Sequence, residues 1–272
     1  MTTKRTQGLL FIIGGAEDHE GDCTILREFV RWGGGRDATI AVLTAATSLP
    51  REVGDDYIRV FEKLGAKKVH VVNTEEREDS DRPEAIAAIE DSTAIFFTGG
   101  DQARIIELIK GTKLDAAIRQ RQTQGAIVGG TSAGAAMMPN KMIVEGDSTS
   151  SPRVETVEMG AGMGFISGVI IDQHFAQRGR LGRLLSALLL EPADIGFGID
   201  ENTALIVDGD HLKVLGEGTV TVVDEKESNY NNLDKSLKDE ALAIFGAKLH
   251  ILPSGYEFNL QTRQPISPHQ KS

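Results

Sequence analysis

The chain has 272 residues, a formal net charge of −11 and 40% hydrophobic residues, enough to bury a sizeable core. An acidic balance of this size excludes a phosphate-backbone binder, which needs clustered Lys and Arg, so no nucleic-acid partner is expected. No apolar run approaches the roughly 18 residues of a helical membrane span, which excludes that class as well.

In chain order, Met1 to Gln7 is polar and the apolar run from Leu9 to Ile13 is too short for a secretory signal, so a cytoplasmic location is expected. Strand-like segments at 8–13, 38–43, 68–72, 93–97 and 126–128 alternate with amphipathic helices at 22–32, 53–64, 83–89, 103–109 and 114–122. Asp22 is the expected N-cap of the first helix. Cys23 is the only cysteine, which excludes an intramolecular disulfide and a thiolate metal cluster, and it reads as a core residue.

Strand alternating with helix implies a doubly wound, mainly parallel sheet flanked by helices, with ligands beyond the carboxyl ends of the strands. Three glycine pairs fall on that edge as expected turns: Gly14-Gly15, Gly99-Gly100 and Gly129-Gly130. After residue 140 the pattern changes to a strand at 168–175, an arginine-rich helix from about 178 to 190, and short strands at 196–200, 203–207, 212–215 and 219–223. Asp208-Gly209 and Gly216-Glu217-Gly218 supply hairpin turns, so antiparallel strands are expected in the C-terminal third, on the same sheet or on a small side sheet. A polar surface loop with some helix is expected at 228–238, a last strand at 247–253 and a frayed tail at 264–272. One catalytic domain over 1–272, with flexible ends at 1–7 and 264–272, is the expected organisation.

The segment Gly130-Thr131-Ser132-Ala133-Gly134 reads as strand, sharp turn and helix start. This is the pattern of a nucleophile elbow, where glycines permit close backbone approach and a serine is held exposed above the sheet. A serine hydroxyl needs a base, usually histidine. His70, His211, His250 and His269 read as structural or exposed. His19 lies past the first strand, and His174 ends the buried run Gly168-Val169-Ile170-Ile171-Asp172-Gln173, where polar residues emerge at a strand's carboxyl end. His174 is the preferred base. Glu201, after the buried segment 196–199, is the preferred orienting acid, with Asp200 beside it and Asp172 as competitor. The order Ser132, His174, Glu201 departs from that of the α/β-hydrolases.

Several spaced motifs carry a resemblance: Ile13-Gly14-Gly15-Ala16-Glu17-Asp18, Phe97-Thr98-Gly99-Gly100-Asp101-Gln102, the elbow, Asp172-Gln173-His174-Phe175 with Arg178, Arg180 and Arg183, and Gly198-Ile199-Asp200-Glu201-Asn202-Thr203-Ala204. Together they resemble the cyanophycinase family of serine peptidases, grouped with the α-aspartyl dipeptidases, over most of the chain. The resemblance implies a class I glutamine amidotransferase-like fold, Ser132 as nucleophile, His174 as base and Glu201 as acid. It implies hydrolysis of cyanophycin, a polyaspartate whose β-carboxyls carry arginine, to β-Asp-Arg dipeptides. It also implies a homodimer. Neither cofactor nor metal is expected.

The three arginines suit a substrate carboxylate, because guanidinium offers planar paired donors. Asp101, Gln102, Asp172 and Gln173 are candidates for substrate amides or guanidinium. The N–H groups of Ala133 and of Gly99 or Gly100 are candidate oxyanion donors. Two rivals stand beside this reading. One is a metal-dependent hydrolase using Glu17, Asp18, His19, Glu20 and Asp22; the other is a non-catalytic binding protein on the same scaffold.

Overall fold

The computed structural model describes residues 8–148, 151–191 and 195–270. Its first half alternates strand and helix: β1 (Leu10–Ile13), α1 (Thr24–Trp32), β2 (Thr39–Leu43), α2 (Pro50–Lys63), β3 (Lys68–Val72), α3 (Pro83–Asp91), β4 (Ala94–Phe97), α4 (Gln102–Ile109), α5 (Lys113–Thr123), β5 (Ile127–Thr131) and α6 (Ala133–Ala136). These strands pair in parallel in the order β1-β5-β4-β2-β3. Every residue of β1, β2, β4 and β5 is buried, as a sheet covered on both faces requires. Side chains alternate between the faces: Phe11 and Ile13 join Phe29, Phe61 and Phe96 on one side, while Leu10 and Ile12 join Leu43, Phe97 and Val128 on the other.

The second half supplies β6 (Lys141–Gly146), β7 (Val157–Ala161), β8 (Val169–Gln173), α7 (Leu181–Leu190), β9 (Ile195–Ile199), β10 (Thr203–Asp208), β11 (His211–Gly216), β12 (Thr219–Asp224), β13 (Tyr230–Asn231), β14 (Ile244–Phe245), β15 (Lys248–Pro253), β16 (Glu257–Asn259) and β17 (Gln264–Ile266). The C-terminal strands take both expected routes. β10 pairs antiparallel with β1 and continues through β11, β16 and β17, giving nine strands in the main sheet, while β15-β12-β9-β8 form a side sheet in which only β8 and β9 are parallel. One apolar cluster runs through both, from Ile12 and Val128 to Ile171, Ile199 and Val222. Among the described residues no helix is long and apolar enough to cross a membrane.

Several boundaries differ from the sequence expectation. β5 runs through Gly129 and Gly130, so these are strand residues and not a turn; a Cβ on Gly129 would lie 2.6 Å from the Phe29 ring. The first helix starts at Thr24 and is not capped by Asp22; instead the Asp18 carboxylate accepts the N–H groups of Glu20, Gly21 and Cys23. α7 begins after Arg180, not at 178. The hairpin β6–β7, with Met142, Ile143 and Val144 on one strand and Val157 and Met159 alternating on the other, is not among the expected elements. Residues 264–266, expected in the tail, pair with β16; the end at 1–7 lies outside the described residues.

Candidate active site

Ser132 occupies the junction of β5 and α6 with φ 52° and ψ −110°. This is backbone space that a non-glycine residue enters only when its surroundings enforce it. The enforcement comes from the flanking glycines. A Cβ on Gly130 would stand 2.2 Å from the Gly134 carbonyl oxygen, and one on Gly134 would stand 2.4 Å from the Phe97 carbonyl oxygen, so strand and helix approach closely enough to bend the chain at the serine.

His174 follows β8 with φ 46°, and its N–H donates to the Gly14 carbonyl at 2.8 Å. Glu201 follows β9, and the next residue, Asn202, donates to the Gly15 carbonyl at 2.9 Å. The glycine turn after β1 thus receives both strand ends of the side sheet. His174 Nε2 lies 3.0 Å from Ser132 Oγ, and His174 Nδ1 lies 2.6 Å from Glu201 Oε1. With Nδ1 donating to the carboxylate, Nε2 is left with a lone pair facing the serine hydroxyl.

Burial chiefly pushes the His174 pKa below its ordinary 6.5; Glu201 opposes this, and the charges of Arg178 and Arg180 add to the lowering. The imidazole is therefore neutral at pH 7, the state a base requires. Neither competitor for the acid reaches the ring. Asp200 accepts from Ala176 N, Thr219 N and Thr219 Oγ1, and Asp172 is taken by Arg183.

Ser132's own N–H donates to the Ile13 carbonyl at 3.0 Å and is not available to a substrate. Ala133 is the first residue of α6, where an N–H has no partner within the helix. Gly99 flanks the serine: a Cβ there would stand 3.4 Å from Ser132 Cβ. Gly100 turns away, with its corresponding position 2.1 Å from the Ala46 carbonyl oxygen. Of the two glycines, Gly99 is the one beside the hydroxyl.

The polar residues named from sequence separate into two groups. Asp101 caps α4 by accepting from Ala103 N at 2.8 Å, and Gln102 Nε2 donates to the Ile143 and Val144 carbonyls, which fastens α4 to β6. Asp172 and Arg183 form a buried pair, with Arg183 Nε 2.7 Å from Oδ2, and Arg183 also reaches the Gly146 carbonyl. Arg180 is buried and donates to the Gln173 carbonyl at 2.6 Å; burial first, opposed by Asp172, brings its pKa down to about 10. Two of the group are not engaged in holding the fold in this way. Gln173 Oε1 lies 3.4 Å from Ser132 Oγ, and Arg178 is exposed, its guanidinium making no hydrogen bond or ion pair among the described residues.

The profile of peptidase family S51 matches residues 10–215 of the chain. The chain belongs to that family. Cyanophycinase from Geminocystis herdmanii is 42% identical over 260 residues, covering 95% of this chain and 96% of that one. Cyanophycinase from Trichormus variabilis is 40% identical over 264 residues, covering 96% and 89%. The crystal structure of a peptidase from an acI-B1 actinobacterium superposes with a TM-score of 0.70 at 22% identity, covering 93% of this chain and 97% of that chain, a likeness of fold.

In this S51 peptidase the serine opens onto a cleft of about 600 Å³ walled by α2 and by the loop after β1. Its floor is Glu17, whose carboxylate accepts from the Tyr57 and Thr131 hydroxyls. Burial works to raise the Glu17 pKa, but bonds from His19, Thr131 and Tyr57 outweigh it and the net direction is down. His19 stands 3.6 Å from Glu17 and 2.7 Å from Asp56, and Glu17 first among its neighbours raises the His19 pKa.

The acidic run considered for a metal is thus divided: Asp18 folds its own loop, and Glu17 and His19 face the cleft in ion pairs. Among the described residues no three such groups converge into a metal site. Sequence reasoning named Glu17 without a role in the serine site and passed over Glu52, Asp56, Tyr57 and Arg59, because on α2 they read as one more amphipathic helix.

Proposed function

We propose that this peptidase hydrolyses the backbone α-peptide bond of cyanophycin and releases β-Asp-Arg dipeptides, with Ser132, His174 and Glu201 as its catalytic groups. The observation that carries the reading is the unbroken contact chain from Ser132 Oγ through His174 to Glu201, in a chain 42% identical to a cyanophycinase over nearly its whole length.

Ser132 Oγ attacks the scissile carbonyl while His174 Nε2 takes its proton, and Glu201 stabilises the imidazolium that results. The tetrahedral oxyanion is met by the N–H groups of Ala133 and Gly99. The carbon–nitrogen bond then breaks as the imidazolium protonates the departing amine, leaving an ester on Ser132. Water attacks the ester with His174 again as base, and the carboxylate product leaves with the serine hydroxyl restored. Arg178, exposed beside His174, binds a substrate carboxylate; Gln173 binds a substrate amide. Asp172, Arg180 and Arg183 act beneath them by fixing the carboxyl end of β8, and Asp101 and Gln102 by fixing α4. The resemblance in the motifs further suggests a homodimer, which a monomer mass in light scattering would overturn.

The test is mass spectrometry of soluble products after incubation with insoluble cyanophycin, with Ser132→Ala and an α-linked aspartyl dipeptide alongside. Release of β-Asp-Arg by wild type only is expected. Cleavage of the α-dipeptide alone would move the protein to the dipeptidase branch, and near wild-type turnover by Ser132→Ala would remove Ser132 as nucleophile.

A further inference from the structure

Besides Tyr57 and His174, the cleft beside Ser132 is lined by five ionisable side chains, and four of them pair with one another. Glu17 meets His19 at 3.6 Å, His19 meets Asp56 at 2.7 Å, and Asp56 meets Arg59 at 2.8 Å. The two carboxylates favour the protonated form of His19, and with it protonated this chain alternates in sign and sums to zero. Glu52 is left over. It lines the same cleft one helical turn before Asp56 on the same face of α2, it is exposed, and it makes no hydrogen bond or ion pair among the described residues.

We infer that Glu52 is a specificity-determining residue that binds the guanidinium of a substrate arginine branch. The assignment rests on cyanophycin as substrate. The cleft reaches Ser132 and His174, and its volume lies within the ~300–1,000 Å³ of sites that enclose a small ligand, so a branch carried by a residue flanking the scissile bond enters it. A carboxylate and a guanidinium match as paired acceptors and donors, and the already neutralised floor leaves Glu52 as the unbalanced charge that a cationic side chain completes. Arg178, close enough to His174 to act on its charge, offers the opposite sign, so the site distinguishes the two ends of a zwitterionic β-Asp-Arg unit.

The experiment compares hydrolysis of the soluble two-unit substrate (β-Asp-Arg)₂ with the same compound carrying citrulline, which keeps the length and the terminal amide but loses the charge. Wild type is expected to prefer the arginine form through KM. In Glu52→Gln the KM for the arginine form rises about tenfold or more, as loss of a charge-assisted contact implies, with kcat little changed and the citrulline form hardly affected. Glu52→Lys lowers the preference further. Equal arginine preference in wild type and both variants, with folding verified by circular dichroism, would overturn the role of Glu52 while leaving the peptidase reading intact. Failure of wild type to cleave either compound or the polymer would overturn the substrate reading and this assignment with it.

Discussion

Ser132 sits at a φ of 52° and a ψ of −110°, a conformation whose cost is of order 1–3 kcal/mol. Strain of this kind should be released by glycine and kept by alanine. Ser132→Gly and Ser132→Ala are both expected to lose turnover by several orders of magnitude, but the glycine variant should be about 1 kcal/mol more stable in urea unfolding. Equal stabilities would mean that the elbow is not strained.

In the proposed mechanism His174 acts as the neutral base, and burial first, then Arg178 and Arg180, set its pKa below 6.5 against the pull of Glu201. Activity therefore falls as pH drops through that lowered value. Arg178→Gln removes a positive neighbour and should shift the acid limb of kcat/KM to higher pH, whereas Glu201→Gln should shift it lower and cut kcat by about 10²–10⁴. A pH–rate profile with an unmoved limb in both variants would exclude His174 as the titrating base.

The elements meet at two joints that can be broken separately. One is the turn after β1, where Gly15 has a φ of 97° and a Cβ would lie 2.4 Å from both Nε2 and Cε1 of His174. Gly15→Ala should displace the imidazole from its 3.0 Å contact with Ser132 and lower kcat by about 10²-fold, the scale expected for a misplaced catalytic group, while circular dichroism stays native.

The other joint is the buried pair of Asp172 on β8 and Arg183 on α7, with Arg183 also tied to the Gly146 carbonyl at the end of β6. Removing one partner strands a charge, so Arg183→Met should cost about 3–5 kcal/mol. The double variant with Asp172→Asn should cost less than the sum of the two single changes, measured by denaturant unfolding. Strict additivity would show that the two residues do not act as a pair.

For the molecule as a whole, Glu17, His19 and Asp56 connect the loop after β1 to β5 and α2, and the chain of contacts titrates. His19 has a folded pKa raised above 6.5, first by Glu17, so its contribution to stability is complete below 6.5 and is lost as pH rises through the folded value. Glu17 has a folded pKa below 4.5, the bonds from His19, Thr131 and Tyr57 outweighing its burial, so its contribution is present above 4.5 and is lost as pH falls through the folded value. Stability should be greatest between these limits, and His19→Asn should flatten the alkaline decline. Guanidinium unfolding across the pH range checks this, and an unchanged slope in His19→Asn would assign the decline to other groups.

Residue order alone carried the alternation of β1 to β5 with α1 to α5, because a buried strand or an amphipathic helix is written in side-chain periodicity over a few residues. It carried the elbow for the same reason: Gly130, Ser132 and Gly134 act on one another across five positions. It also brought out His174, a polar residue ending an apolar strand. The short strands β16 and β17 left no such trace, since three residues are too few to show a period, while the apolar positions of β6 and β7 were present but not read as a hairpin.

Glu201 was preferred from the sequence, but the reason it reaches the ring, and Asp200 and Asp172 do not, is tertiary. All three are acidic residues at strand ends, and only the packing of β9 against β8 turns one of them toward the ring. The division of Arg178 from Arg180 and Arg183, and the cleft that brings Glu17 and Glu52 to the serine, have the same cause. Which partner a charged side chain finds depends on chain segments brought together from far apart, and local spacing holds no record of that.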